Sequence, residues 1–203
     1  MKRFIKLIFL FVFFIAIQTI SAQEYTAQKI FGQEQLAIRE VRRNAVAANI
    51  GWNGLTGVGV TYHNYVGKQV GIDLGIGLAS TGIKLGGRFR YLFMEKNFSP
   101  YLSGGFMYGL GFGNTEIEYN SNNNNFFYTI GASPYAQIAG GIEYLADKGF
   151  LFMFDLGYAF LLNDGNYEIT RGVPSSEELM AMDMAFGSGI VIEFTIGYAF
   201  GGK

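Results

Sequence analysis

The side chains able to do chemistry are few and widely spaced. The sequence holds one histidine, His63, and no cysteine. Its charged and polar residues within apolar stretches are Asp73, Lys84, Arg88, Arg90, Gln137, Glu143, Asp155 and Glu193. A nucleophile needs a base within hydrogen-bond reach and a third group to orient that base. His63 is followed by Asn64 and Tyr65, and no such set is legible around it. One histidine and scattered carboxylates give no metal-ligand spacing. "GLGFG" at 109–113 resembles a phosphate loop but lies in alternating sequence with no helix after it. The expectation is therefore no catalytic residue, no metal site and no cofactor.

Asp155 poses a different question, because it sits in the middle of "GFLFMFDLGYAFLLN", residues 149–163. That run is too short for a membrane-spanning helix, which needs roughly twenty residues. Read at a period of two, Phe150, Phe152, Phe154, Leu156, Tyr158 and Phe160 share one face of a strand. Leu151, Met153, Asp155, Gly157 and Ala159 share the other.

The elements that must position Asp155 follow the same pattern. Eight alternating segments are predicted at 45–52, 57–65, 69–79, 82–93, 99–112, 127–145, 149–162 and 185–200. Of their connections, only the fifth, 113–126, and the seventh, 163–184, are long, and both are polar and rich in turn residues. Long connections of odd number and short ones of even number suit an antiparallel barrel that crosses a membrane, with both termini on one side.

One face of each segment is apolar. Val70, Ile72, Leu74, Ile76 and Leu78 form one stripe, and Leu102, Phe106, Tyr108, Leu110 and Phe112 another. Aromatic residues gather towards segment ends, at Trp52, Tyr62, Tyr91, Phe93, Phe112, Phe160, Tyr198 and Phe200, as two interfacial girdles would require. An eight-stranded interior is too narrow for so many rings, so these faces are expected to point outward. The charged residues then face the lumen. A tight turn over Ser80 and Thr81 would set Asp73 opposite Arg88, and Lys84, Arg88 and Arg90 would meet Asp73, Glu143, Asp155 and Glu193 in a nearly balanced internal network.

Residues 1–22 read as a Sec signal peptide: Lys2, Arg3 and Lys6, then the apolar stretch Leu7–Ile17, then small residues before a cleavage site after Ala22. Loss of those three bases would take the formal charge from −1 to −4, which argues against nucleic acid as a partner. Residues 23–43 do not alternate and are expected to form a periplasmic leader, with a plug or periplasmic contact as its functional reading. The barrel domain is placed at 44–203.

With this architecture, the chain resembles the small eight-stranded outer-membrane β-barrels typified by the membrane domain of OmpA and by OmpX. "NAVAANIGWNGLTGVGVTYHNYV" resembles the opening hairpin of Bacteroidota barrels. The resemblance implies an all-β, up-and-down transmembrane barrel in the cell outer membrane, with outer-membrane lipid, lipopolysaccharide and the barrel assembly machinery as partners. In that family the closing strand ends in an aromatic residue; Tyr198 and Phe200 fit, although Gly201, Gly202 and Lys203 follow. Some barrels of this size modify lipid A with a histidine and a serine on one face, but no serine stands two positions after His63. Three classes of function remain at this stage: a structural or surface-interaction barrel with an unidentified extracellular ligand, a small-solute channel, and a lipid-modifying enzyme.

Overall fold

In the computed structural model, residues 37–121 and 124–201 are described. The expected signal peptide and most of the expected leader lie outside them. The described chain opens with one short helical turn, α1 (Ile38–Val41). The wall strands that follow are β1 (Asn44–Trp52), β2 (Val58–Tyr65), β3 (Val70–Ala79), β4 (Gly82–Leu92) and β5 (Phe98–Gly109). Then come β6 (Ile117–Ser121), β7 (Asn124–Ile130), β8 (Ser133–Leu145), β9 (Phe150–Leu161), β10 (Tyr167–Arg171), α2 (Ser176–Phe186) and β11 (Gly189–Phe200).

Eight strands close into a barrel in the order β1-β11-β9-β8-β5-β4-β3-β2, each pair antiparallel, with the first strand hydrogen-bonded to the last. Closure leaves no strand edge unpaired. The start of β1 and the end of β11 define a terminal rim, which also carries the short turns 66–69, 93–97 and 146–149. The opposite, loop rim carries 53–57, 80–81 and the long connections 110–132 and 162–188. The odd-even pattern of connection lengths expected from the sequence is therefore present.

Alternation sets which side chain points where. In β9, Leu151, Met153, Asp155 and Ala159 are wholly buried, whereas Phe150, Leu156, Tyr158 and Phe160 are exposed. The same holds around the wall: Leu74, Phe89, Phe106, Ile138 and Ile196 lie exposed on its outside. Such a surface is inside-out for a water-soluble barrel and suits a hydrocarbon solvent.

The long connections depart from expectation. They are not plain loops but a small ordered module, a three-stranded sheet in the order β10-β7-β6 with α2 packed on it. Phe126, Ile130, Met182 and Phe186 form its core. The segment read as one strand from 127 to 145 is two, because β7 leaves the wall to join this sheet and β8 begins only at Ser133. Both pieces alternate, so a period of two cannot mark the break between them. The strand read from 185 starts at Gly189, after α2 has ended. That helix has a legible start signal in Ser175 and Glu178: the Ser175 side chain accepts from Glu178 N–H, and the Glu178 side chain accepts from Ser175 N–H. The Ser175 N–H and the Asn124 amide hold the Glu178 carboxyl below its usual range. The Tyr167 hydroxyl is pushed up to about 12 by burial and by its hydrogen bond to Asp183.

Wall and filling meet closely where Gly141 faces a large inward ring. A Cβ on Gly141 would lie 2.5 Å from the Phe154 carbonyl oxygen and 2.6 Å from Tyr101 Cζ, whereas one on Gly104 meets nothing nearer than 3.7 Å. Gly141→Ala is expected to cost about 1–3 kcal/mol by overpacking, and Gly104→Ala to be near neutral. Urea unfolding of both variants in lipid, followed by the gel mobility of the folded form, checks the contrast.

Candidate functional site

The lumen is the candidate site, and its charges are arranged around Asp73. The β3–β4 register sets Asp73 directly opposite Arg88, as the Ser80–Thr81 turn implies, and the β2–β3 register sets His63 opposite it on the other side. Asp73 Oδ2 accepts from Arg88 Nε and from Arg90 Nε, each at 2.7 Å. Its Oδ1 lies 2.9 Å from Arg90 Nη2 and 2.8 Å from His63 Nδ1. One carboxylate of β3 thus gathers three side chains from the two flanking strands, all fully or almost fully buried.

From this hub the network runs towards both rims. Arg90 reaches Glu143 towards the terminal rim and lies between the rings of Tyr65 and Tyr101, at 5.4 Å from each centroid. Arg88 Nη1 lies 3.2 Å from Asp155 Oδ2 and 3.3 Å from Glu193 Oε1. Asp155 and Glu193 are cross-strand neighbours in the β9–β11 register, so the arrangement places two carboxylates side by side with one guanidinium between them. Like charges directly opposite destabilise a strand pair, and the cation offsets that repulsion. Tyr101 donates to Asp155 Oδ1 at 2.6 Å. The carboxylate in the apolar run is therefore held by one arginine and one phenol.

Two features of this lumen were not legible in strand periodicity. The first is Arg39 in α1, which is fully buried and donates from Nε to Glu143 Oε1 at 2.9 Å and from Nη1 to the Met94 carbonyl at 2.9 Å. It adds a fourth cation to Lys84, Arg88 and Arg90, matching the four carboxylates. Ile38 packs beside it against the inward cluster at the terminal rim. The second is the 53–57 turn. Its Leu55 and Thr56 are wholly buried, and Leu55 Cδ1 would lie 2.6 Å from a Cβ on Gly86. This odd-numbered connection dips into the barrel instead of facing outward. At mid-wall a neutral set joins the charges: Thr61 donates to Asn49 at 2.6 Å and Asn49 to Thr195 at 2.8 Å.

Lys84 stands apart from the arginines. It is buried and donates to the Gly54 carbonyl at 2.8 Å, with the Tyr135 ring centroid 5.2 Å away. Gln137 also points inward and is buried, but both of its amide atoms lack a hydrogen-bond partner among the described residues. His63, the one imidazole, has Asp73 on Nδ1 and Arg90 Nη2 at 3.5 Å. The eight aromatic residues expected at the girdles are all exposed on the outside. Trp52, Phe112 and Phe160 stand near the loop rim, and Tyr62, Tyr91, Phe93, Tyr198 and Phe200 towards the terminal rim. Phe98, Tyr144 and Phe150 join the latter group.

Apolar exterior, closed sheet and charged interior together make this an eight-stranded barrel of outer-membrane type. No family model matches the sequence, and no curated protein matches it. Among solved structures it is similar to the N-terminal β-barrel domain of Pseudomonas aeruginosa OprF, at 14% identity over 78% of this chain and 98% of that one, with a TM-score of 0.47. It is also similar to the Escherichia coli outer membrane protein W, at 14% identity over 79% and 99% of the two chains and a TM-score of 0.39. A third similar structure is Acinetobacter baumannii CarO, at 10% identity over 79% and 99% and a TM-score of 0.33.

The network makes a direct energetic prediction. Asp155→Leu removes one of the three carboxylates around Arg88 and leaves the buried Tyr101 hydroxyl without its acceptor, at an expected cost of roughly 1–3 kcal/mol. Phe154→Leu, on the outer face, should cost well under half as much. Unfolding midpoints of the two variants in lipid give the comparison; equal small losses would mean that water solvates the Asp155 carboxylate.

Proposed function

We propose that the protein is a non-enzymatic outer-membrane barrel whose rigid wall holds the β6–β7–β10 sheet and α2 outward as a surface-interaction module. The observation that carries this reading is the contrast between a filled barrel and an ordered loop-rim module. Charged and aromatic side chains occupy the lumen, Arg39 and Ile38 occupy its terminal end, and Leu55 and Thr56 occupy its loop end. Such packing favours a structural wall over a solute path.

The module is fixed to that wall. Tyr135, an inward residue of β8, donates to the Phe186 carbonyl at the end of α2, and Asn166 donates to Ser133 Oγ at 2.9 Å and to the same carbonyl at 2.8 Å. Ser80, in the β3–β4 turn, donates to the Ala185 carbonyl at 2.7 Å. The loop-rim connections 110–132 and 162–188 hold seven carboxylates against one base, Arg171, so the module favours an uncharged or basic partner. On this reading the loop rim faces the cell exterior, the terminal rim faces the periplasm, and the exposed aromatic bands sit at the two interfaces with lipid and lipopolysaccharide. The assembly machinery would recognise β11 with Tyr198 and Phe200 at its end. His63 serves the charge network: its Nδ1 is committed to Asp73.

The native chain has no cysteine, which makes topology directly measurable. A Cβ would meet nothing within 4 Å at Gly165 on the loop rim or at Gly67 on the terminal rim. A membrane-impermeant maleimide added to intact cells is expected to label Gly165→Cys and not Gly67→Cys; the reverse pattern would invert the barrel. The filled lumen is tested separately: liposomes carrying the purified protein should swell no faster in small sugars than protein-free liposomes.

A further inference from the structure

α2 is apolar on two faces, and only one of them is covered. Met182 and Phe186 turn inward to the core shared with the β10-β7-β6 sheet. Met180 and Met184 stand one turn apart on the opposite side, and each is 66% exposed. Ala181, on that same side, is exposed too. A helix that packs one face on its own domain ordinarily gives charged and polar residues to the other. Here two long apolar side chains occupy it.

Negative charge flanks this stripe. By helical periodicity Glu177 lies to one side of Met180 and Met184 and Asp183 to the other, and both carboxylates are exposed. α2 contains no base, and Arg171, the one base of the two long connections, is paired with Glu116. Asp183 accepts from the Tyr167 hydroxyl, a neutral donor. The last turn of a helix adds partial negative charge of its own. No cation of the module offsets these charges.

Resting on the surface-interaction reading of the module, we infer that the outer face of α2 docks a basic amphipathic helix of a partner protein. The apolar stripe of that helix covers Met180, Ala181 and Met184, and its Lys or Arg residues meet Glu177 and Asp183. Side chains at i and i+4 form a ridge that fits the groove of a facing helix, and the small Ala181 lets the partner backbone approach. Methionine is flexible and polarisable, so the ridge adapts to the side chains it meets. The flanking carboxylates select a basic helix over an acidic one. They also disfavour a second copy of this chain, whose own α2 brings the same charges.

The test is fluorescence-anisotropy titration of the full-length protein, in phosphatidylcholine nanodiscs, against a labelled amphipathic peptide of Leu and Lys. The peptide is longer than about 15 residues so that it forms a helix, and binding to protein-free nanodiscs is subtracted. Saturable binding is expected, and none by the counterpart with Glu in place of Lys. Met180→Gln combined with Met184→Gln removes the apolar stripe, keeps good helix formers and should weaken binding roughly tenfold or more. Glu177→Gln should weaken it about threefold and flatten its dependence on salt. No binding beyond that of protein-free nanodiscs, equal binding of the acidic peptide, or unchanged affinity in the double variant overturns the inference. Labelling of Met184→Cys in nanodiscs far more slowly than Gly165→Cys would place this face against lipid and overturn it as well. Failure of the surface reading gives a different pattern: Met184→Cys would resist an impermeant maleimide on intact cells while the purified protein still binds the peptide.

Discussion

Charge neutrality inside a closed wall is the constraint on which the rest of this structure depends. Every carboxylate that alternation turns inward has to find a cation in a space only a few side chains wide, because leaving one unpaired there is costly. Asp73 meets this demand through two arginines and a histidine, and Arg88 meets it from the other side by serving Asp73, Asp155 and Glu193 together. Such a lattice links β2, β3, β4, β8, β9 and β11 across the lumen, so the barrel is braced internally as well as closed by its backbone ladder. Small residues such as Gly141 make room for the ring of Tyr101, whose hydroxyl completes the partners of Asp155.

The same constraint explains how the ends are finished. Strand residues alone would leave one carboxylate in excess, and Arg39 supplies the missing charge from outside the sheet. Placing it there also brings Ile38 against the inward cluster formed by Tyr65, Leu92, Tyr101 and Leu151. At the other end Leu55 enters between small residues of β3 and β4, where Gly75 and Gly86 leave space for the 53–57 turn. The barrel is filled from both ends, bonded through its centre, and carries a second folded part at its loop rim. That part, the sheet with α2, has a core of its own and is pinned to the wall through Tyr135, Asn166 and Ser80.

Lys84 sits where these two regimes meet. It belongs to the inward face of β4 like Arg88 and Arg90, yet it is four and six residues nearer the loop rim than they are, beyond ion-pair reach of the carboxylates that serve the arginines. Coverage by the 53–57 turn removes it from water while giving it a single carbonyl. The outcome is a buried ammonium beside the Tyr135 ring at the loop end of the lumen.

By itself the sequence determined the wall: a period of two assigns each residue of β9 to one face, and an outside made of Phe, Leu, Ile and Tyr leaves only the inside for Asp155. It also determined the Asp73–Arg88 pair, since a two-residue turn fixes register and register fixes which side chains stand opposite. Tertiary structure alone decided what depends on contacts between distant segments. Arg39 lies about a hundred residues from Glu143 in sequence, and no local pattern marks it as a lumen residue. The departure of β7 from the wall is equally silent, because both of the sheets it lies between accept the same alternation. α2 carried a local signal in Ser175 and Glu178, but its place on the β10-β7-β6 sheet follows from Phe126, Ile130, Met182 and Phe186 sharing a core, and side chains from separate connections share a core only once the chain has closed into a barrel.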